Sequence, residues 1–169
     1  MKNMILLAAL LVAFTVNSEL NAQTYKSAVG ARLGYPLSLS FKTFLGETSA
    51  VEVYAGTRGF GSGFGSYRWW IISGGYQIHK PIELDDLEGL EYYYGFGASV
   101  FFWDFGEGFS RDYSTTTFGA QAYAGLSYSF EETPVNITVD WVPTYFFNGF
   151  GSGFGAGYGT IGIRYILSR

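Results

Sequence analysis

Few side chains in this sequence are able to do chemistry. The 169 residues include no cysteine and only one histidine, His79, so neither disulfides nor thiolate metal sites can form. Enzymatic catalysis by side chains needs a nucleophile beside a base, or two carboxylates. No Ser-His-acid grouping can be placed around His79. We therefore predict that the chain is not an enzyme and that it holds no metal ion and no cofactor.

The densest group of carboxylates lies between two predicted strands and consists of Glu83, Asp85, Asp86, Glu88 and Glu91. Such a run can bind a divalent cation weakly, but its spacing matches no calcium-binding loop. The leucines between the acids also permit a short amphipathic turn. We interpret residues 80–91 as an acidic, solvated connection.

One motif occurs twice without change. The seven residues Gly-Phe-Gly-Ser-Gly-Phe-Gly occupy positions 59–65 and again positions 149–155. Glycine leaves the backbone free, and four rings offer apolar contacts, namely Phe60, Phe64, Phe150 and Phe154. The motif predicts either an interaction surface on two loops or flexible linkage with aromatic packing.

The stretch from Phe118 to Phe130 shows best how the chain positions its side chains. Every second residue from Phe118 onward is apolar, whereas the residues between them are small or polar and uncharged. Successive side chains of a strand point to opposite faces, so this is a strand with one apolar side. About ten residues of a tilted strand cross the hydrocarbon core of a bilayer, and aromatic residues suit its two interfaces. The stretch therefore predicts a transmembrane β-strand.

Comparable alternation recurs along the whole chain. Strands are predicted over residues 27–34, 37–45, 50–58, 67–79, 92–104, 118–130, 135–146 and 161–167. An even number of antiparallel strands can close into a barrel, which removes the sheet edges that lipid could not hydrate. The predicted fold class is all-β, an eight-stranded antiparallel up-and-down transmembrane β-barrel. A lipocalin-like barrel or a sandwich is the soluble alternative.

Composition agrees with a membrane barrel rather than with a soluble globule. Aromatic residues make up 20% of the chain and charged residues only 14%, with 24 glycines. The net charge of −4 provides no basic surface for nucleic acid, so no nucleic-acid partner is expected.

The polar positions opposite the apolar stripes are expected to face the barrel interior. Their charged or amide side chains are Arg32, Lys42, Glu52, Arg58, Gln77, Gln121, Asp140 and Arg164. Side chains fill the interior of an eight-stranded barrel, so no open pore is expected. Because buried charges need partners, we predict two ion pairs from their positions about the intervening turns, Lys42 with Glu52 and Asp140 with Arg164.

Residues 1–22 predict a cleaved signal peptide. Lys2 precedes an apolar run from Met4 to Val16, and Leu20 to Ala22 provide a small-residue cleavage site. Residues 23–169 then form the barrel domain. The predicted location is the bacterial outer membrane, reached after signal-dependent passage through the inner membrane.

With the strands placed, residues 24–169 resemble the small outer-membrane barrels of the OmpA-transmembrane-domain and OmpX type, and the signal resembles those of Bacteroidetes-type bacteria. The segment from Ile161 to Leu167 is similar to the C-terminal signal read by the barrel assembly machinery. Ser168 and Arg169 depart from it, since a terminal Phe is usual there. The resemblance implies contact with outer-membrane lipid and lipopolysaccharide, assembly by that machinery, and a monomer.

These expectations define a function. We predict a structural or surface-interaction, adhesin-like role, in which the Gly/Phe-rich extracellular loops contact a host or other cell-surface ligand. The alternative is passage of small hydrophobic molecules, which requires an apolar funnel at the outer mouth. A lipid A-modifying enzyme is less favoured. An even strand number puts both termini on the periplasmic side, so His79, at the end of the fourth strand, is expected beside a periplasmic turn and far from the outer leaflet where such enzymes work.

Overall fold

The structure is a computed structural model that describes residues 25–60, 67–84, 88–105, 115–149 and 152–169. Ten strands follow one another along these residues: β1 (Ser27–Tyr35), β2 (Leu37–Phe44), β3 (Ser49–Phe60), β4 (Tyr67–Pro81), β5 (Leu90–Phe105), β6 (Thr116–Ser129), β7 (Val135–Trp141), β8 (Thr144–Phe146), β9 (Gly153–Gly155) and β10 (Gly159–Ser168). No helix among the described residues is long and apolar enough to cross a membrane.

The strands form one closed sheet. Each strand from β1 to β6 pairs antiparallel with the next in the chain, and β10 pairs with both β7 and β1. β8 pairs with β6 and continues the course of β7, while β9 pairs with β8. The wall therefore has eight strand positions. The prediction of an all-β, closed, eight-stranded antiparallel barrel is confirmed.

One predicted strand, 135–146, is divided in the structure. Val142 and Pro143 separate β7 from β8, because proline has no N–H to donate to the ladder. Contact with both neighbours continues across the break. The amide of Ala122 donates to the carbonyl of Pro143 at 3.0 Å, and the amide of Val142 donates to the carbonyl of Tyr158 at 2.8 Å.

The two ends of the barrel differ in their connections. At one end, which we call the terminal end, β1 begins and β10 ends, with Ser27 opposite Ser168. The opposite end, which we call the loop end, carries the β1–β2, β3–β4, β5–β6 and β8–β9 connections. Pro36 alone joins β1 to β2 there. Both copies of the repeated motif begin or end in strands at the loop end.

The side chains alternate between a buried interior and an exposed outer wall. In β6, Gln121 and Tyr123 are 4% and 2% exposed, whereas Phe118 and Leu126 are 52% and 49% exposed. Buried charged groups thus lie inside, while the exposed outer wall carries large apolar groups, an arrangement that is unusual for a soluble protein.

Glycines on the wall make room for large rings inside. The Tyr123 ring lies against Gly75 and Gly97, and a Cβ on Gly75 would meet it at 2.5 Å. The Tyr93 ring lies in the same way against Gly125. Missing side chains on one strand therefore fix the position of rings from other strands, and the interior is filled by interlocking side chains.

Candidate functional site

Glu52, on β3, is the centre of a buried ion-pair network that crosses the interior. Its carboxylate accepts a hydrogen bond from Arg164 Nη2 and another from Gln77 Nε2 at 2.9 Å. Lys42 Nζ lies 3.6 Å from Oε2, and Arg32 Nη1 lies 3.7 Å from Oε1. Four other strands thus converge on one carboxylate, and all five side chains are at most 1% exposed.

Asp140, on β7, is the second acceptor of the network. It accepts hydrogen bonds from Arg32 Nη2 at 2.9 Å, from the Thr160 hydroxyl at 2.7 Å and from the Tyr93 hydroxyl at 2.8 Å. Arg32 also donates from Nε to Thr160 at 3.0 Å. Arg32 therefore links the two carboxylates.

Of the two predicted ion pairs, one is confirmed and one is wrong. Lys42 lies directly opposite Glu52 across β2 and β3, within ion-pair distance. Asp140, however, lies opposite Thr160, and Arg164 lies opposite Asn136. The β7–β10 register thus separates Asp140 from Arg164 by four positions along the strand, and each finds another partner.

The network carries more positive than negative charge. It contains three cations and two carboxylates, a formal charge of +1 (3 − 2): Arg32, Lys42, Arg164, Glu52 and Asp140. Aromatic rings accommodate part of this excess, since Lys42 Nζ lies 4.5 Å from the Tyr93 ring centroid and Arg32 Cζ lies 4.3 Å from that of Tyr54. Charges in such a dry interior must remain paired, so the network links the strands across the interior.

Gln121 organises a second, uncharged network toward the loop end. Its Oε1 accepts hydrogen bonds from Tyr54 at 3.2 Å, from Tyr123 at 2.9 Å and from Ser73, and its Nε2 donates to Thr144 at 3.3 Å. All of these side chains are buried. The ion-pair network, which includes Gln77, and the network around Gln121 thus form two consecutive polar layers inside the barrel.

His79 lies inside the terminal end of the barrel. Its ring stacks on Tyr93 with centroids 4.8 Å apart, and Nδ1 lies 2.8 Å from Glu91 Oε2. Glu91 belongs to the acidic run, so one carboxylate of that run is only partly exposed and pairs with the buried His79. Among the described residues, no three His, Asp or Glu side chains cluster closely enough to hold a metal ion.

The rest of the acidic run includes exposed residues at the terminal end. Glu83 and Glu88 are exposed, while residues 85–87, which include Asp85 and Asp86, lie outside the described residues. Glu88 lies beside Glu131 of the β6–β7 turn. A hydrogen bond with the Glu88 carboxyl, and then its charge, raise the pKa of Glu131.

Arg58 differs from the other predicted interior residues. The end of β3 that carries it extends beyond β2, whose pairing with β3 ends at Thr57. Its side chain is exposed, and Nη1 donates to the carbonyl of Gly34 at 3.3 Å. Arg58 is therefore a group of the loop end and not of the buried network, because the wall that would cover it stops one residue earlier.

A buried, largely aromatic cluster extends from the tyrosines of the polar layers to the loop end. It includes Tyr54, Trp69, Ile71, Tyr93, Phe101, Trp103, Tyr123, Val142 and Phe146, with Tyr35, Tyr67, Phe105 and Tyr158 packed against it and partly exposed. Sequence reasoning did not identify this cluster. The available signal was that both faces of β4 and β5 are aromatic near the loop end, as in the pairs Trp69–Trp70 and Phe101–Phe102.

The predicted binding phenylalanines are described only in part. Phe154 lies in β9, is 68% exposed and sits opposite Tyr145 of β8. Phe60 is the last residue of β3, and its side chain, together with Phe64 and Phe150, lies outside the described residues. At least one ring of the repeated motif is therefore presented to the surroundings at the loop end.

The outer wall is apolar, with rings toward both ends. Toward the loop end the exposed rings include Trp70, Phe102, Phe118, Tyr145 and Phe147, and toward the terminal end they include Tyr92, Tyr94 and Tyr165, while Phe96 lies between the two groups. Aliphatic side chains such as Leu39, Ile72 and Ile163 lie between them. Such an arrangement is typical of a wall that faces hydrocarbon between two interfacial girdles.

Fold and interior together define the class of protein. This is a small, closed, eight-stranded antiparallel β-barrel, the kind of fold found in outer membranes and consistent with an OmpX-like barrel. No protein-family model matches the chain, and searches of curated proteins and of solved structures found no significant match. The fold therefore carries the classification without support from relatives.

Proposed function

We propose that this chain is an integral outer-membrane protein whose lumen is closed and whose loop end carries an adhesin-like interaction surface. The observation that supports it most is the inverted distribution of side chains: five charged residues buried in the interior and large apolar residues exposed around the wall. A basic residue exposed on that wall would cost about 2–4 kcal/mol at the bilayer midplane. The partners would be outer-membrane lipid and lipopolysaccharide along the wall and a host or other cell-surface ligand at the loop end.

The closed lumen distinguishes this proposal from a channel. A hydrophilic solute would have to break the contacts of Glu52 with Arg164 and of Asp140 with Arg32, both of them fully buried. Passage of small hydrophobic molecules is less well supported, because these charged groups lie below the aromatic cluster. Purified protein in planar bilayers should give no stable conductance, and reproducible single-channel steps would contradict a closed lumen.

We place the interaction surface at the loop end because apolar rings of the described residues are exposed there. Phe154, on the short strand β9, is 68% exposed, more than most rings of the wall. Rings on glycine-rich segments lose conformational entropy when they are ordered. Affinity for any one ligand should therefore be modest unless several rings are buried together.

Adhesion of cells that express the barrel tests this surface. Replacing Phe60, Phe64, Phe150 and Phe154 by Ser should lower adhesion while leaving heat-dependent gel mobility unchanged. Leu84→Ser is the matched control, since Leu84 is 52% exposed in the β4–β5 connection at the terminal end. Unchanged adhesion of the folded quadruple variant would refute the proposed surface, whereas failure of that variant to fold would show that the rings belong to the core or girdle.

A further inference from the structure

The outer wall of the barrel carries a large apolar groove, with a volume of about 1020 Å³. The side chains that line it are exposed or partly exposed and include Leu39, Val53, Ile72, Val100 and Phe118. Gly74 and Ala98 lie opposite each other on β4 and β5 and form part of its floor. A Cβ on Gly74 would come no closer than 3.8 Å to Val53, so the space above this floor is open to the surroundings.

The position of the groove on the wall indicates what can occupy it. On the outer face of β5, Ala98 lies midway between the exposed rings of Tyr94 and Phe102, which belong to the two girdles. The groove is therefore at the depth of the hydrocarbon in a membrane barrel. None of the described residues that line it is charged. A hydrocarbon chain is the occupant that matches such a surface, because it needs no hydrogen-bond partner.

A cation lies on the same face of β4, nearer the loop end. Arg68 is exposed and points outward beyond Trp70, and within the described part of the chain it forms no ion pair with a carboxylate. Asp104 lies opposite Arg68 on β5. Arg68 Nε, however, lies over Gly59 of β3, 3.9 Å from where a Cβ would be. The guanidinium therefore has donors available for an anion, and its planar fork suits a phosphate.

The separation of the cation from the groove matches one leaflet of a bilayer. Arg68 and Gly74 are about 20 Å apart along β4 at the usual rise of a strand, which is about 15 Å in depth for the usual tilt of a barrel strand. Half of a hydrocarbon core about 30 Å thick is also about 15 Å. An acyl chain whose phosphate-bearing head lies at Arg68 therefore reaches the groove without leaving its leaflet.

We propose that Arg68 and the groove form one binding site, which we call the wall site (Arg68, Ile72, Gly74 and Ala98), for the lipid A part of lipopolysaccharide. One acyl chain lies in the groove, and a phosphate of the head pairs with Arg68. The inference rests on the proposed function, which puts the loop end outside the cell and hence Arg68 at the level of the outer leaflet. The wall site differs from the rest of the wall because it joins a groove to a cation.

Native mass spectrometry of the full barrel in detergent micelles, with bisphosphorylated lipid A added, tests the wall site. Wild-type protein should retain one lipid A. Arg68→Gln should weaken its binding about fivefold, which corresponds to about 1 kcal/mol for an exposed ion pair, and should leave binding of dephosphorylated lipid A unchanged. Ala98→Leu should weaken binding of both lipids about threefold, because the larger side chain fills the groove. Heat-dependent gel mobility shows that each variant is folded.

Each variant has a matched control that should leave binding unchanged. Lys80→Gln removes an exposed cation from the same strand at the terminal end, and Ala124→Leu enlarges an exposed alanine of β6 that does not line the groove.

Three results would overturn the inference: no lipid A retained by folded wild-type protein, equal effects of a variant and its control, or equal retention of phosphatidylglycerol. Loss of adhesion in the quadruple Phe variant without lipid A binding would refute the wall site alone. Lipid A binding at the wall site with unchanged adhesion of that variant would refute the adhesin-like surface alone.

Discussion

Glu52→Gln is the substitution that tests the buried network most severely. Glutamine keeps the size of the side chain and one acceptor oxygen, but it removes the charge shared by Arg164, Lys42 and Arg32. The formal charge of the network then rises from +1 to +2. Removing one partner of a buried pair typically costs about 3–5 kcal/mol, because the remaining charge is desolvated and uncompensated. We expect about 3 kcal/mol, since the amide still accepts a hydrogen bond.

A second substitution separates charge from packing. Lys42 Nζ has no hydrogen-bond acceptor among the described residues, so Lys42→Met removes one cation without leaving a broken hydrogen bond. Lys42→Met alone should cost less than Glu52→Gln, because Glu52 keeps Arg164, Arg32 and Gln77 as partners and the formal charge of the network falls from +1 to 0. In the double variant the formal charge returns to +1, and about 1–2 kcal/mol of the loss should be recovered. Recovery of this kind is a coupling between the two residues that a double-mutant cycle measures.

The assay is reversible urea unfolding of the barrel in lipid vesicles, followed by tryptophan emission. Glu47→Gln is the control, because Glu47 is exposed in the turn between β2 and β3, and surface changes of this kind usually stay within about 0.5 kcal/mol. A Glu52→Gln variant within about 1 kcal/mol of the wild type would refute the reasoning. So would a double variant less stable than Glu52→Gln alone.

Two further substitutions have defined outcomes. Gly75→Ala should destabilise the barrel by about 1–3 kcal/mol in the same assay, because the new Cβ would meet the Tyr123 ring at 2.5 Å. Gly74→Ala is the control and should be nearly neutral, because its Cβ would come no closer than 3.8 Å to Val53. Equal effects of the two substitutions would contradict the packing of Tyr123 against Gly75. Arg169→Ala removes hydrogen bonds to the carbonyls of Phe130, Glu131 and Thr133. Hydrogen exchange of the backbone amides in the β6–β7 turn should therefore become faster. An unchanged exchange rate would show that these exposed contacts do not stabilise the turn.

The fold could be predicted because its determinants are local. Alternation of apolar and polar residues assigns each strand one exposed apolar face and one face inside, as the 118–130 stretch shows. The short connection between β2 and β3 also fixed the register, so Lys42 and Glu52 were correctly paired. The connection around residue 150 is longer and contains the break at Val142 and Pro143. Counting equal numbers of residues on both sides of this connection therefore paired Asp140 with Arg164. In the structure Asp140 lies opposite Thr160, four positions from Arg164.

The aromatic mouth could not be predicted from the same signal. In β4 and β5 the residues near the loop end are aromatic on both faces, so alternation does not distinguish an inward Trp69 from an outward Trp70. The height of the wall is a property of the whole barrel, and it explains why Arg58 is exposed although its position in β3 is an inward one. Local patterns thus predict the strands of the wall. Which side chains are exposed at the loop end depends instead on how far each strand extends beyond the strands paired with it.

The most direct test of the central claim compares two neighbouring tryptophans. The chain has four, Trp69, Trp70, Trp103 and Trp141, and variants that retain only Trp69 or only Trp70 can be reconstituted in vesicles of brominated lipid, whose bromines quench indole emission on contact. Trp70 is 54% exposed on the outer wall and Trp69 is 0% exposed inside. The account predicts strong quenching of Trp70 and almost none of Trp69. Equal quenching of the two, or quenching of Trp69 alone, would contradict a closed barrel that faces lipid with its apolar wall.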